Sequence, residues 1–298
     1  MKLLTAVLIL AVAPASFSQA RQGQRQPTIP ISTQTLLDGV KSPESRGVIK
    51  AVVRLECPAD RIKGTGFAIR SGTVVVTNSH VLGSCSASAL KGRASSRDGD
   101  IEFTKIINDP DRDLALLLVR DPLPFALTLA GDQHPSVETE VETWGYPLRY
   151  DDSAPILSRG YVAGYRQFVA TDVNGKSKAP VSRVIVNGAL NPGNSGGPLI
   201  DRSNGNVIGV VVEKWILNLP DVEKVIEALP KGGVALSGNL TATLSDGTTR
   251  ALSEEQEVAL ALEELYRGIQ VVVGEAIAVS ELNALITAHQ AELPATRR

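Results

Sequence analysis

The chain reads as an all-β protein, a barrel or sandwich, with helices set outside its strand-rich middle. Three observations carry this. Short β-branched and apolar runs recur at Val48 to Leu55, Gly66 to Ile69, Thr73 to Thr77, Ile101 to Ile107 and Leu114 to Val119. A second set follows at Val137 to Tyr146, Ile156 to Tyr165, Val181 to Val186, Pro198 to Ile200 and Val207 to Val212. Turn residues such as Arg97-Asp98-Gly99-Asp100 punctuate the runs. Of the 298 residues 43% are hydrophobic and 21% charged, with a formal net charge of -2, so a globular core is affordable and nothing suggests the clustered basic face of a nucleic-acid binder.

In chain order, Lys2 precedes an apolar run from Leu3 to about Ala15, and Ser18-Gln19-Ala20 supplies the small residues a signal peptidase reads. A membrane span needs about 20 apolar residues. Residues 1–20 are therefore expected to be a cleaved secretory signal, giving an exported, periplasmic or secreted protein. No cysteine follows the run, so neither a lipid nor a stable membrane anchor is expected. Residues 21–46, rich in Gln, Pro, Ser and Thr, read as an extended arm with a short helix near Thr33 to Val40.

After Lys214 the pattern changes. Val222, Val225, Ile226 and Leu229 fall on one helical face between Pro220 and Pro230. A polar hairpin is expected at about Leu240 to Leu252, and Ser253-Glu254-Glu255-Gln256 opens a helix that ends at Gly268. Gln270 to Val279 returns to a strand, and a final helix is expected to be capped by Ser280. Asn239-Leu240-Thr241 matches a glycosylation triplet, to which little weight attaches without a source.

Chemistry centres on Asn187-Gly188-Ala189-Leu190-Asn191-Pro192-Gly193-Asn194-Ser195-Gly196-Gly197-Pro198. A serine among glycines suits acyl transfer, because backbone N–H groups must converge on an oxyanion without a Cβ in the way. Ser195 is the candidate nucleophile, and a serine hydroxyl needs a base and a group to orient that base. His80 ends the run Thr73 to Leu82. Asp113 stands between the acidic turn Asn108 to Arg112 and an apolar strand, where its carboxylate could accept the imidazole's other N–H. Gly193 to Gly197 also satisfies the α/β-hydrolase elbow. That motif needs a helix after the serine and a histidine downstream, whereas here the next segment is hairpin-like and the only later histidine is His289.

Gly64-Thr65-Gly66-Phe67, Thr77-Asn78-Ser79-His80-Val81, Asp113-Leu114-Ala115-Leu116-Leu117, Trp144-Gly145-Tyr146-Pro147 and Gly193-Asn194-Ser195-Gly196-Gly197-Pro198 together resemble the trypsin-like serine proteases, in particular the bacterial HtrA (DegP-like) branch. The resemblance implies two six-stranded barrels over about residues 47–290, with a partly helical insertion at about 215–267, a closing strand, a C-terminal helix and a tail at 291–298. It implies a cleft between the barrels holding His80, Asp113 and Ser195, protein or peptide substrates, and no metal or cofactor. The oxyanion hole would be the N–H groups of Gly193 and Ser195, with Asn194 positioning the turn.

Cys57 and Cys85 are the two cysteines and flank the segment Gly64 to His80, so in an oxidising compartment they are expected to form a disulfide bracing His80. The alternative is two unrelated buried thiols. Asn194 stands where zymogen-type members carry an aspartate, so activation by a newly cut amine is not expected. The resemblance puts Ala189 where the trypsin branch has an acidic residue at the floor of its side-chain pocket, and an uncharged floor is expected to favour small or medium apolar side chains. The sequence departs from HtrA in showing no PDZ-like module. Two functions from different classes remain: a serine endopeptidase, or a protease-fold binding or regulatory module with a latent site.

Overall fold

The computed structural model describes residues 33–147, 154–170, 175, 177–214, 241–243, 249–251 and 273–295. The signal segment, the arm before residue 33, the glycosylation triplet's Asn239 and the helices expected at 220–229 and 253–268 lie outside the described residues. In chain order the elements are α1 (Thr33–Gly39), α2 (Pro43–Ala51), β1 (Val52–Cys57), β2 (Ile62–Ile69), β3 (Val74–Thr77), α3 (Ser79–Leu82), β4 (Lys91–Ala94), β5 (Phe103–Asp109) and β6 (Leu114–Val119). The second half supplies β7 (Glu140–Gly145), β8 (Ile156–Phe168), β9 (Val181–Gly188), β10 (Pro198–Asp201), β11 (Val207–Lys214), β12 (Thr241–Thr243), β13 (Thr249–Ala251), β14 (Val273–Ala278) and α4 (Val279–Ala288).

The first six strands form an antiparallel sheet in the order β4-β1-β2-β3-β6-β5, whose edges meet through one bridge, Gly92 to Ile101. The next set closes into a six-stranded barrel, β10-β11-β14-β9-β8-β7. Strands β3 and β6 read as unbroken apolar runs because both of their faces are buried. Val75, Ala115 and Leu117 point into the first barrel with Val53 and Leu55. Val74, Val76, Leu114 and Leu116 face a seam that also takes Trp144 and Tyr146 of the second barrel region, Ile277 of β14 and Leu282 of α4. The second barrel has its own filling of Val141, Val162, Val184, Val186 and Leu199. Each such buried side chain contributes about 1.5–3 kcal/mol, and the seam fixes one barrel against the other.

Four expectations are corrected. From Pro43 the arm expected to be extended is already helix α2, whereas the short helix expected near Thr33 to Val40 is present as α1, which packs Leu36 and Leu37 on the seam. The run expected as a strand from Val48 is helical to Ala51, because Ser42 accepts the N–H of Ser45, Pro43 needs no amide partner in the first turn and Glu44 favours the positive helix end. Ser280 lies inside α4, whose N-cap is Ala278. The stretch after α4 is no free tail, since Leu293 is buried in the seam and Arg70 donates to the carbonyl of Pro294 at 2.9 Å. The expected hairpin is seen as β12 paired with β13, and β14 pairs with both β11 and β9, so residues 215–272 interrupt two adjacent strands.

Candidate active site

His80 lies one step beyond the expected strand end, on the single turn α3 that follows Thr77 and Asn78. Its backbone N–H donates to Asp113 Oδ1 at 3.0 Å, and its Nδ1 lies 3.1 Å from Oδ1 and 2.9 Å from Oδ2. A ring held by two carboxylate oxygens carries its proton on Nδ1, which leaves Nε2 as the acceptor. Asp113 adopts φ 57°, a left-handed conformation that aspartate tolerates better than most residues. Its carbonyl accepts from Asn78 Nδ2 at 2.9 Å, so the two segments are tied through backbone as well as side chain.

The Asp113 turn is braced from the second barrel. Arg112 donates to Asp109 Oδ2 at 2.7 Å and to Glu281 Oε2 at 3.0 Å, while the other oxygen of Glu281 accepts from Ser182 N at 2.9 Å. The hydrogen bond from Arg112 to Asp109 raises the guanidinium above its ordinary value, with Glu281 adding to the effect. Lys178 meets Asp111 at 2.6 Å. On the other side, Cys57 and Cys85 form the expected disulfide, and Asp60 accepts from both the backbone N–H and hydroxyl of Ser84. The turn carrying His80 is therefore held at both ends.

Ser195 reaches this corner because glycines let the chains close in. A Cβ on Gly196 would sit 2.1 Å from Thr65 O and 2.2 Å from Thr77 Oγ1, and its φ of +84° already belongs to glycine. A Cβ on Gly64 would meet both the Val81 side chain and the carbonyl of Ser195. The serine turn thus abuts the segment that carries His80. The hydroxyl of Ser195 donates to Val212 O at 2.5 Å, and among the described residues no hydrogen bond joins it to His80.

The backbone of the turn can be followed donor by donor. Asn194 N–H goes to Asn191 O at 3.0 Å, Gly196 N–H to Val211 O at 2.8 Å and Gly197 N–H to Asn194 O at 2.9 Å. Among the described residues the N–H groups of Gly193 and Ser195 have no acceptor. Gly193 has φ 98°. Asn194 is fully buried, and its side-chain amide has no hydrogen-bond partner among the described residues, so it acts on the turn through its backbone and bulk. Ala189 is half-buried just after β9, and the neighbouring Leu190 packs where a Cβ on Gly274 would stand.

Thr65 was singled out by the sequence only as part of a motif, and it hydrogen-bonds the first barrel to the serine turn of the second. Fully buried, it donates its N–H to Ser195 O at 2.9 Å and its hydroxyl to Gly193 O at 2.7 Å, while that hydroxyl accepts from Tyr146 N at 3.1 Å. A polar residue between two glycines, just ahead of the apolar stretch Phe67 to Ile69 of the same strand, is the signal that could have found it. No group of three or more His, Cys, Asp or Glu among the described residues could hold a metal, and no helix among them is long and apolar enough to cross a membrane.

Comparison with known proteins gives one consistent result. The family model of the trypsin-like peptidase domain matches residues 64–210. The chain is 31% identical over 160 residues to the probable periplasmic serine endoprotease DegP-like of Chlamydia trachomatis, covering 51% of this chain and 28% of the relative. It is 31% identical over 153 residues to Protease Do-like 1, chloroplastic, of Arabidopsis thaliana, covering 49% and 32%. The matches thus span less than a third of these relatives' length. Among solved structures, the active form of the Rv3671c protease from M. tuberculosis superposes with TM-score 0.56 at 21% identity, covering 92% of this chain and 93% of that one. The inactive form gives 0.55 at 20% identity, covering 87% and 96%, so at this identity the likeness speaks for the fold and not for either state.

Proposed function

Taking as premise that residues 64–210 of this chain are a trypsin-like peptidase domain, we propose that the protein is an exported serine endopeptidase using His80, Asp113 and Ser195. The observation that carries the reading is the imidazole held by Asp113 at 2.9 Å beside a glycine-lined serine turn with two N–H groups left without acceptors. In the proposed reaction Ser195 turns from Val212 O toward Nε2 of His80, which takes the hydroxyl proton as Oγ adds to the substrate carbonyl carbon. Giving up one hydrogen bond for another makes this rotation inexpensive, about 1 kcal/mol or less. The oxyanion lies between the N–H groups of Gly193 and Ser195. His80 returns the proton to the leaving amine, and water then resolves the acyl-enzyme with the same histidine as base.

Export rests on the first 20 residues and on relatives named as periplasmic. Ala189 supports cleavage after small or medium apolar residues, which a peptide library dominated by basic residues at that position would reject. Asn194 carries no charge to pair with a new N-terminus, so activity needs no activating cut. A fluorophosphonate probe tests the core of the reading: labelling at Ser195, abolished in Ser195→Ala, is expected. A folded protein that stays unlabelled supports the second reading, a protease-fold module with a latent site, which the bond from Ser195 to Val212 O favours.

A further inference from the structure

We propose that Thr65 is a positioning residue for the oxyanion hole, acting from the first barrel on a turn of the second. The inference rests on the reading of Ser195 as nucleophile. Three consecutive peptide units determine which way the turn presents its N–H groups. The unit between Gly193 and Asn194 is bonded at both ends, its carbonyl to the Thr65 hydroxyl and its N–H to Asn191 O. The unit between Ser195 and Gly196 is also bonded at both ends, its carbonyl to Thr65 N–H and its N–H to Val211 O. Between them, the carbonyl of Asn194 takes the N–H of Gly197. With the planes on both sides fixed, the unit between Asn194 and Ser195 presents the Ser195 N–H without an acceptor, and the Gly193 N–H, on the unit before the Thr65-bonded one, is likewise left without an acceptor.

Both fixed carbonyls depend on the same residue. Glycine at 193 makes a flip of the adjoining peptide sterically cheap, so something outside the turn must choose between the two orientations. The Thr65 hydroxyl makes that choice, because a flipped peptide would leave it without its 2.7 Å acceptor in a fully buried place. Its lone pairs are engaged too, by Tyr146 N–H at 3.1 Å, and its own carbonyl accepts the Thr77 hydroxyl at 2.8 Å. The hydroxyl is therefore held in one rotamer by two partners, Gly193 O and Tyr146 N–H, while Ser195 O and the Thr77 hydroxyl hold the backbone of the same residue. Serine can make every one of these hydrogen bonds; valine, of the same shape, keeps only the backbone ones.

The test measures fluorophosphonate labelling of the full chain at increasing probe concentration, separating the maximal rate kinact from the half-saturating KI, beside urea unfolding of each variant. Thr65→Val is expected to lower kinact about ten- to a hundredfold, short of the full loss of an oxyanion donor, with KI unchanged. Thr65→Ser is expected to restore the wild-type rate. Wild-type labelling with an unaltered Thr65→Val rate overturns the proposal while leaving the endopeptidase reading intact. Absence of wild-type labelling overturns the reading on which it rests. A fall in kinact that Thr65→Ser does not rescue, or failure of both Thr65→Val and Thr65→Ala to fold, makes the residue structural only and overturns the proposal.

Discussion

Replacing Gly196 by alanine adds a single methyl where the serine turn of the second barrel abuts strands β2 and β3 of the first. That methyl would stand 2.1 Å from a backbone carbonyl, Thr65 O, and 2.2 Å from Thr77 Oγ1, so no rotamer relieves it. Holding an L-residue at φ +84° costs about 1–2 kcal/mol before any contact is counted. Drawing the chains apart gives up the Thr65 N–H bond to Ser195 O and the Thr65 hydroxyl bond to Gly193 O, about 1 kcal/mol each. Leaving them in place overpacks the seam by a similar amount, about 1–3 kcal/mol. Either route gives a total near 3–4 kcal/mol.

The matched control is Gly99→Ala, where φ is +80° and nothing lies within 4 Å of the added carbon, so strain alone remains. Urea unfolding of the two variants with the disulfide intact isolates the steric part as their difference, about 2 kcal/mol. Equal losses for Gly196→Ala and Gly99→Ala would refute the claim that this glycine sets the approach of the barrels. Labelling of Ser195 should also slow in Gly196→Ala and stay normal in Gly99→Ala.

Two further outcomes follow from the same corner. Asp113→Asn keeps an oxygen for the His80 backbone N–H and tolerates the left-handed backbone, yet it no longer dictates the imidazole tautomer; peptide turnover is expected to fall about 10⁴-fold with the melting curve little changed. Joint replacement of Cys57 and Cys85 by alanine removes a cross-link of sequence separation 28. Chain entropy for a loop of that size gives a loss of about 3–4 kcal/mol in urea unfolding, and an unchanged midpoint would exclude the bridge from the folded protein in solution.

Much of the scaffold was legible because seam strands such as Val74–Thr77 and Leu114–Val119 are apolar on both faces and need no partner to be recognised. Strand β4, Lys91–Ala94, was not. Its Lys-Gly-Arg-Ala has little strand propensity and forms because Leu55 and Arg54 of β1 offer a register to Gly92 and Arg93. Helix α2 departs from the expected strand because the β-branched Val48 and Ile49 favour a strand locally, whereas Ser42-Pro43-Glu44 carries a readable helix start. At the site, residue types and order suggested His80, Asp113 and Ser195. The acceptor taken by the Ser195 hydroxyl and the clasp made by Thr65 depend on distances between segments far apart in sequence, which no local pattern encodes.

Lys214 and Gly274 are partners across β11 and β14, so the chain departs from the closed barrel and rejoins it at neighbouring points. Closing a loop there becomes only about 0.6 kcal/mol harder with each doubling of its length. The barrel can therefore accept grafts of very different size at this junction without renegotiating its own pairing. Divergence between proteins built on this scaffold has a ready address.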